Sequence, residues 1–108
     1  MNDITQSLKG IVVTLPSMRA DKFLKNSRLI KRREVAKELC DAGYVHLNDK
    51  TANPSTEVSP GDRIRLRLGR HTLTVEVRSL PLHPTRESAS LSYEVIEDKI
   101  ENRGTEDA

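Results

Sequence analysis

The sequence predicts an α+β fold in which two helices precede a small antiparallel sheet. Between residues 20 and 42 apolar residues recur at helical spacing, whereas after Gly43 they alternate with polar residues, as in strands. A run of helices followed by a run of strands is typical of α+β domains. The length of 108 residues suits one domain with a modest core.

Two helices are predicted in the first half, over residues 20–27 and 31–42. In each, apolar residues form one stripe that can face a core. The residues expected on these two stripes are Phe23, Leu24, Ser27, Val35, Ala36, Leu39 and Cys40. Leu29 and Ile30 are expected to anchor the connecting turn to the core. Gly43 is expected to end the second helix in the left-handed conformation.

The second half is predicted to consist of strands joined by short turns. Residues 44–47 form a strand, residues 48–49 a two-residue turn, and residues 50–53 the returning segment. Pro54-Ser55 marks a further turn. A last edge strand is expected over residues 91–96.

Strict alternation over residues 63–68 and 72–78 predicts a hairpin with Gly69-Arg70 in its loop. Since side chains of a strand alternate between the two faces, a single register satisfies the pattern. The cross-strand pairs expected from it are Leu66 with Leu73 and Ile64 with Val75 on the buried face, and Arg65 with Thr74 and Arg63 with Glu76 on the solvent face.

The two ends of the chain are expected to lie outside the folded domain. Residues 1–17 show no sustained period and are predicted to be a flexible extension, with a short strand over residues 11–15 as the alternative. The domain itself is expected over residues 18–96. From residue 97 onward acidic residues dominate, which predicts a disordered tail.

Composition argues against several functional classes. No apolar run approaches the roughly 20 residues that a membrane span needs, and the start lacks the pattern of a signal peptide. Cys40 is the single cysteine, so no disulfide framework is expected, and the three histidines show no ligand spacing. No glycine-rich phosphate loop or catalytic order is visible. The chain is therefore expected to be a cytosolic, non-catalytic protein without a cofactor or membrane contact.

Positive charge is concentrated at the helices. Residues 18–40 carry eight cations against three acids, a local charge of +5 in a chain whose formal net charge is +2. This asymmetry indicates a polyanionic partner, although a solvated charged surface is the alternative. The cations, all candidate RNA contacts, are Arg19, Lys22, Lys25, Arg28, Lys31, Arg32, Arg33 and Lys37.

The expected start of the second helix, Lys31-Arg32-Arg33, is electrostatically unfavourable for an isolated helix. Cations oppose the positive end of the helix dipole, and a capping Ser, Thr, Asp or Asn is missing. Free helix N–H groups and guanidinium groups together are suited to bind a phosphate. Asp21, the acid among these cations, is expected to orient Arg19 or Arg33 and not to act as a base.

A second set of cations, Arg63, Arg65 and Arg67, lies on one face of a predicted strand. Their spacing of about 6.5–7 Å could follow phosphates, or the row could be the wet face of a half-buried sheet, which we favour. The chain has only Phe23, Tyr44 and Tyr93 as aromatic residues. Because readers of single-stranded bases stack them on exposed rings, the expected partner is structured RNA.

These residues resemble a known family. Residues 18–25 through Gly43, followed by Val45, Asn48, Lys50 and Pro60-Gly61-Asp62, are similar to an S4 RNA-binding domain, a resemblance that covers roughly residues 18–80. The segment 27–38 is similar to the RqcP (YabO) family of small free-standing S4 proteins. Those proteins start at the Met-Arg that corresponds to residues 18 and 19 here, so the first 17 residues depart from the pattern.

The resemblance implies a two-helix αL motif packed on a small, twisted antiparallel sheet. It implies binding to tRNA and rRNA on a large ribosomal subunit that holds a stalled peptidyl-tRNA, beside an RqcH-type factor that adds alanine tails. The resemblance places Arg33 at the position that typically contacts RNA in S4 domains. It places Arg19 and Asp21 at the Arg and Asp found near the start of the family's motif. Arg32 replaces the usual hydroxyl residue. The free protein is expected to be a monomer, and Arg33→Glu is predicted to abolish RNA binding without affecting the fold.

Two alternatives follow from the same resemblance. The small heat-shock S4 protein has a similar architecture and binds freed large subunits carrying peptidyl-tRNA. That family usually has a basic C-terminal extension, whereas residues 97–108 here are acidic. A relative of S4-bearing pseudouridine synthases or tRNA synthetases would need a separate catalytic chain.

Overall fold

The computed structural model describes residues 16–100. The bounds of the helices and strands are β1 Met18–Arg19, α1 Ala20–Asn26, α2 Arg33–Asp41, β2 Val45–Leu47, β3 Lys50–Thr51, β4 Glu57–Val58, β5 Arg63–Leu68, β6 His71–Val77, α3 Arg86–Ser90 and β7 Tyr93–Ile100. The predicted helices and strands are present in the predicted order, and three short elements, β1, β4 and α3, are present in addition. Residues 1–15 of the predicted 17-residue extension, including the alternative strand over residues 11–15, lie outside the described residues.

Helix α1 has the predicted amphipathic arrangement. Phe23 and Leu24 are fully buried, while Lys22 and Lys25 point to solvent. Ser27 ends the helix, with its N–H bonded to the carbonyl of Phe23 at 2.8 Å. One turn of helix therefore contributes the two largest side chains of the core.

The turn between the helices is anchored by Ile30, as predicted. Its side chain is only 6% exposed, and its N–H donates to the carbonyl of Leu24 at 3.0 Å. Arg28 adopts a left-handed conformation with φ 67° to make this turn. The chain bends through residues 29–31 and is extended only at Arg32, with φ −126° and ψ 138°, before helix α2 begins. The predicted helix start at Lys31 is thus two residues too early.

The buried stripe of helix α2 is narrower than predicted. Ala36 and Cys40 are buried and Leu39 packs partly against the core. Val35, expected on the same stripe, is 39% exposed, which corrects that expectation. Ala36 and Cys40 are one turn apart and face the core, whereas Val35 is rotated by about 100° from Ala36.

The main sheet has five antiparallel strands in the order β3-β2-β5-β6-β7. Each predicted pair of the β5–β6 hairpin is present, including Leu66 with Leu73 and Arg63 with Glu76. The two-residue turn between β2 and β3 has positive φ at both Asn48 and Asp49, 51° and 71°. These are the conformations of a type I′ turn, whose twist matches that of the flanking strands. The pairing of β5 with β6 thus confirms the register predicted for that hairpin.

The C-terminal strand is longer than expected. Strand β7 runs to Ile100 and pairs with β6, so residues 97–100 are not part of a disordered tail as predicted. The pairing passes from Thr74 with Glu97 to Val75 with Val95, which leaves Ile96 as an extra residue in a bulge. An outer strand can carry charges on both faces, which is why its acidic composition was misleading. Residues 101–108 lie outside the described part.

Three short elements were not predicted. Strands β1 and β4 pair with each other, with Met18 opposite Val58. Helix α3 is held by a capping box, in which the Thr85 side chain accepts from the N–H of Ser88 at 3.0 Å and the Ser88 hydroxyl accepts from the N–H of Thr85 at 2.9 Å. Within residues 16–100 no helix is long and apolar enough to cross a membrane.

Candidate nucleic-acid interface

The buried carboxylate of Asp21 joins the starts of the two helices. From the end of β1, immediately before α1, the Nε of Arg19 donates to Oδ1 at 3.1 Å, and its Nη2 donates to Oδ2 at 3.3 Å. From α2, the Nη2 of Arg33 donates to Oδ1 at 3.4 Å, and Nε lies 3.2 Å from Oδ2 without the alignment of a hydrogen bond. The side chain of Asp21 is fully buried, whereas 46% of Arg19 and 43% of Arg33 remain exposed.

Opposing effects act on the pKa of Asp21. Burial by itself raises it, but the hydrogen bonds from Arg19 and Arg33, the positive charge of Arg33 and the backbone N–H of Lys22 together lower it below its ordinary value of 3.8. Asp21 is therefore an anion at neutral pH. A buried anion with two arginine partners fits the predicted orienting contact and is unsuited to act as a general base.

Local backbone contacts hold Asp21 in place. The N–H of Asp21 donates to the carbonyl of Pro54 at 3.1 Å, and the N–H of Ala20 donates to the carbonyl of Thr56 at 2.8 Å. Thus the first N–H groups of α1, which have no partner inside the helix, are satisfied by the loop before β4. The N–H of Lys22 donates to Oδ1 of Asp21 at 2.8 Å. The unpredicted β1–β4 pair is what brings this loop to the helix.

The start of α2 lacks a side-chain cap, as the sequence indicated. Arg32 occupies the N-cap position and makes no capping hydrogen bond, while its carbonyl accepts from the N–H of Ala36 at 3.1 Å. Arg33 is the first residue of the helix, and Glu34 is the acid in its first turn. The positive end of the helix dipole and two arginines therefore face the same surface.

The remaining predicted cations lie on the two helices and on the turn between them. Lys25, Arg28 and Lys31 line one shallow depression together with Ile30. Lys22, Arg32 and Lys37 are exposed on the helices and the turn. We call the eight cations of the segment 19–37 the helical basic surface; its members are Arg19, Lys22, Lys25, Arg28, Lys31, Arg32, Arg33 and Lys37.

The arginine row of β5 is exposed, as expected for the solvent face of a half-buried sheet. Arg65 Nη1 lies 3.3 Å from Oδ1 of Asp49, an exposed pair. Arg67 stacks over the ring of Tyr44, with its Cζ 5.9 Å from the ring centroid. The sequence did not indicate this contact, although the antiparallel pairing of residues 44–47 with β5 would have placed Tyr44 beside Arg67.

Residues 16–100 contain no group of three or more His, Cys, Asp or Glu side chains that could hold a metal ion. Cys40 is buried, and this burial, with the nearby charges of Asp21 and Asp41, raises the pKa of its thiol to about 11. A thiol of this kind is a poor nucleophile at neutral pH.

Comparison with known proteins gives the family. The sequence model of the S4 domain matches residues 18–64, the range that contains Asp21 and both of its arginines. Over 82 residues the chain is 43% identical to the RQC P-site tRNA stabilizing factor of Bacillus subtilis, an alignment that covers 76% of this chain and 95% of the relative. The chain belongs to this family of S4 proteins.

Heat-shock S4 proteins are also similar. The chain is 34% identical over 88 residues to heat shock protein 15 of Escherichia coli, covering 80% of this chain and 65% of that protein. The trimeric structure of heat shock protein 15 from Vibrio cholerae matches with a TM-score of 0.67 at 30% identity, covering 74% of this chain and 82% of that one. This likeness confirms the predicted fold class.

Proposed function

We propose that the protein is a non-catalytic RNA-binding factor of ribosome-associated quality control. It binds tRNA and rRNA on a large ribosomal subunit obstructed by a stalled peptidyl-tRNA. There it supports alanine tailing by an RqcH-type factor. The observation that carries the proposal is the buried Asp21, which holds Arg19 and Arg33 side by side on the helical basic surface.

This arrangement suits a phosphate backbone for two reasons. First, Asp21 holds both guanidinium groups in place before RNA arrives, so that less side-chain entropy is lost on binding. Second, the side chains of Arg19 and Arg33 are each about half exposed, so their guanidinium groups can donate further hydrogen bonds to phosphate oxygens. The same two helices and their connecting turn carry six further exposed cations, which supports a partner with many phosphates.

The names of the relatives support the assignment of the RNA. The Bacillus subtilis protein is called an RQC P-site tRNA stabilizing factor, and the alignment spans 95% of it. We therefore assign P-site tRNA and the neighbouring rRNA to the helical basic surface. The protein would act in the cytoplasm and reach the subunit as a monomer.

Co-sedimentation with large subunits tests the proposal. Purified protein should pellet with subunits that carry peptidyl-tRNA, and Arg33→Gln should release it. Arg86→Gln, which removes an exposed arginine from α3 outside the matched S4 domain, is the matched control and should pellet like the wild type. A wild-type protein that stays in the supernatant, or an Arg33→Gln variant that pellets fully, would overturn the proposal.

The second candidate is a heat-shock-type factor that recycles free large subunits. Its support is the TM-score of 0.67 to heat shock protein 15. Reconstituted tailing separates the two functions, since both predict binding to the subunit. With subunits, an RqcH-type factor and alanyl-tRNA, our proposal requires the protein to increase the length or yield of alanine tails. Unchanged tailing together with normal subunit binding would favour the heat-shock-type function.

A further inference from the structure

We infer that the protein has a second RNA-binding site, on the open face of its sheet, that holds one nucleotide between a pair of arginines and a tyrosine ring. This inference rests on the proposed RNA-binding function. The site is a depression lined by Gly43, Tyr44, His46, Arg65, Arg67 and Thr72. We call it the sheet site.

Strand pairing brings these side chains together. His46 lies directly opposite Arg65, and Thr72 lies opposite Arg67, so all four occupy the same face of three adjacent strands. The N–H of Arg67 donates to the carbonyl of Tyr44 at 2.9 Å, which places Tyr44 at the end of the same row. The lining is therefore fixed by backbone pairing and does not depend on a loop.

The chemistry of the lining points to a nucleotide. Arg65 and Arg67 are successive outward residues of β5, about 6.5–7 Å apart, and both are exposed. Each guanidinium can donate hydrogen bonds to a phosphate oxygen, and both can contact phosphates of the same RNA strand. The ring of Tyr44 is 44% exposed and has a guanidinium at 5.9 Å. An exposed ring beside arginines is the arrangement on which bases stack.

Charge separates this site from the rest of the face. The neighbouring depression, which both Arg63 and Arg65 line, includes the acids Asp49 and Glu97. Arg65 Nη1 lies 3.3 Å from Oδ1 of Asp49, an exposed pair, and Arg63 lies opposite Glu76 on the adjacent strand. The lining of the sheet site contains no acid. A polyanion is therefore favoured at the Arg67 end of β5 and disfavoured at the Arg63 end.

The sheet site is distinct from the helical basic surface. Arg33 begins helix α2, and Gly43-Tyr44 follows its other end, so that about 14 Å of helix separates the two. One phosphate group cannot contact both. We therefore expect the sheet site to hold a second RNA segment, which fixes the orientation of the protein on the subunit.

The test uses large subunits carrying peptidyl-tRNA as the probe. The double variant Arg65→Ala, Arg67→Ala should lower the slope of log affinity against log monovalent salt by about two, because two phosphate contacts are lost. Arg63→Ala, from the same strand and face, is the matched control and should leave the slope unchanged. Thermal melting checks that both variants fold; these positions are exposed, so melting should be unaffected.

Two variants at Tyr44 test whether its ring stacks on a base. Tyr44→Leu should weaken binding about fivefold, because a stacked base is lost, whereas Tyr44→Phe keeps the ring and should bind like the wild type. If all these variants bind like the wild type while Arg33→Gln still weakens binding, the sheet site is overturned and the proposed function stands. Full binding by Arg33→Gln would instead contradict the proposed function itself.

Crosslinking identifies what occupies the site. A photoreactive phenylalanine derivative in place of Tyr44, irradiated on the same subunits, should crosslink to RNA. Crosslinking to a ribosomal protein or to the tailing factor would overturn the inference in favour of a protein contact. Absence of any crosslink, with normal subunit binding, would also overturn it.

Discussion

The Nε of Arg33 lies 3.2 Å from Oδ2 of the fully buried Asp21. This contact ties the first turn of α2 to the first turn of α1 across twelve positions of sequence. It makes Arg33 part of the structural link between the helices as well as the expected RNA contact. Substitutions at Arg33 must therefore be chosen with the fold in mind.

Arg33→Gln should weaken RNA binding at least about tenfold, because a guanidinium that can contact phosphate is removed. Since Arg33 is half exposed and Arg19 still pairs with Asp21, the free energy of unfolding should fall by only about 1 kcal/mol. Filter binding with tRNA and urea unfolding measure the two effects. Binding unchanged from the wild type would contradict the role of Arg33.

Arg33→Glu, in contrast, places a second carboxylate beside a buried one. We expect it to abolish binding and also to lower the free energy of unfolding by about 2 kcal/mol. The sequence-based expectation that this variant leaves the fold intact is therefore revised. Equal urea midpoints for Arg33→Glu and Arg33→Gln would contradict this reasoning.

Arg32→Ser should raise the stability of the fold and weaken RNA binding. A serine at this N-cap position can accept from a free N–H of α2, which contributes about 1 kcal/mol, while one cation of the helical basic surface is lost. Arg32→Ala removes the cation without supplying a cap and serves as the control. A serine variant that melts no higher than the alanine variant would show that the helix start is already satisfied.

The stability of the protein should fall in acid partly because of Asp21. Its pKa in the folded protein is below 3.8, so its contribution is fully present above that pH and is lost as pH falls through the lowered pKa. Asp21→Asn lacks this titration. The difference in free energy of unfolding between the wild type and Asp21→Asn should therefore shrink as pH falls from 5 toward 2.5, which urea titrations can follow. A difference that is constant with pH would be inconsistent with the ion pairs.

Cys40 should resist thiol reagents in the folded protein. Its pKa of about 11 instead of 9.0 reduces the thiolate population about a hundredfold, and burial restricts access further. Labelling with a maleimide at pH 8 should be slow in buffer and fast in 6 M guanidinium. Rapid labelling of the native protein would indicate that α2 opens away from the sheet.

The parts of the fold that were predictable are those with a sustained period. Strands β5 and β6 alternate over six and seven residues, and a single register buries Ile64 and Leu66, so even their pairing could be deduced. Strands β1 and β4 have two residues each and no period to detect. Helix α3 has five residues, of which only Ala89 is buried.

In the candidate nucleic-acid interface, too, only the features that depend on residues close together in sequence could be predicted. The cations and the role of Asp21 as their partner could be deduced because they stand close together in sequence. The start of α2 at Arg33 could not, since it depends on how the buried Ile30 holds the preceding turn. The contact of Tyr44 with Arg67 also depends on tertiary pairing, because 23 positions separate the two residues in the sequence.

Strand β7 has a consequence for the way the molecule meets its partner. It carries Glu94, Glu97 and Asp98 at the edge of the sheet opposite to β3, while the cations cluster on the helices beside β1 and β2. Within residues 16–100, positive charge is therefore concentrated toward the helices, an asymmetry that the formal net charge of +2 conceals. Near a polyanion, such an asymmetry favours encounters in which the helices approach first. Because β7 is paired with β6, its acidic residues keep a fixed position relative to the helices.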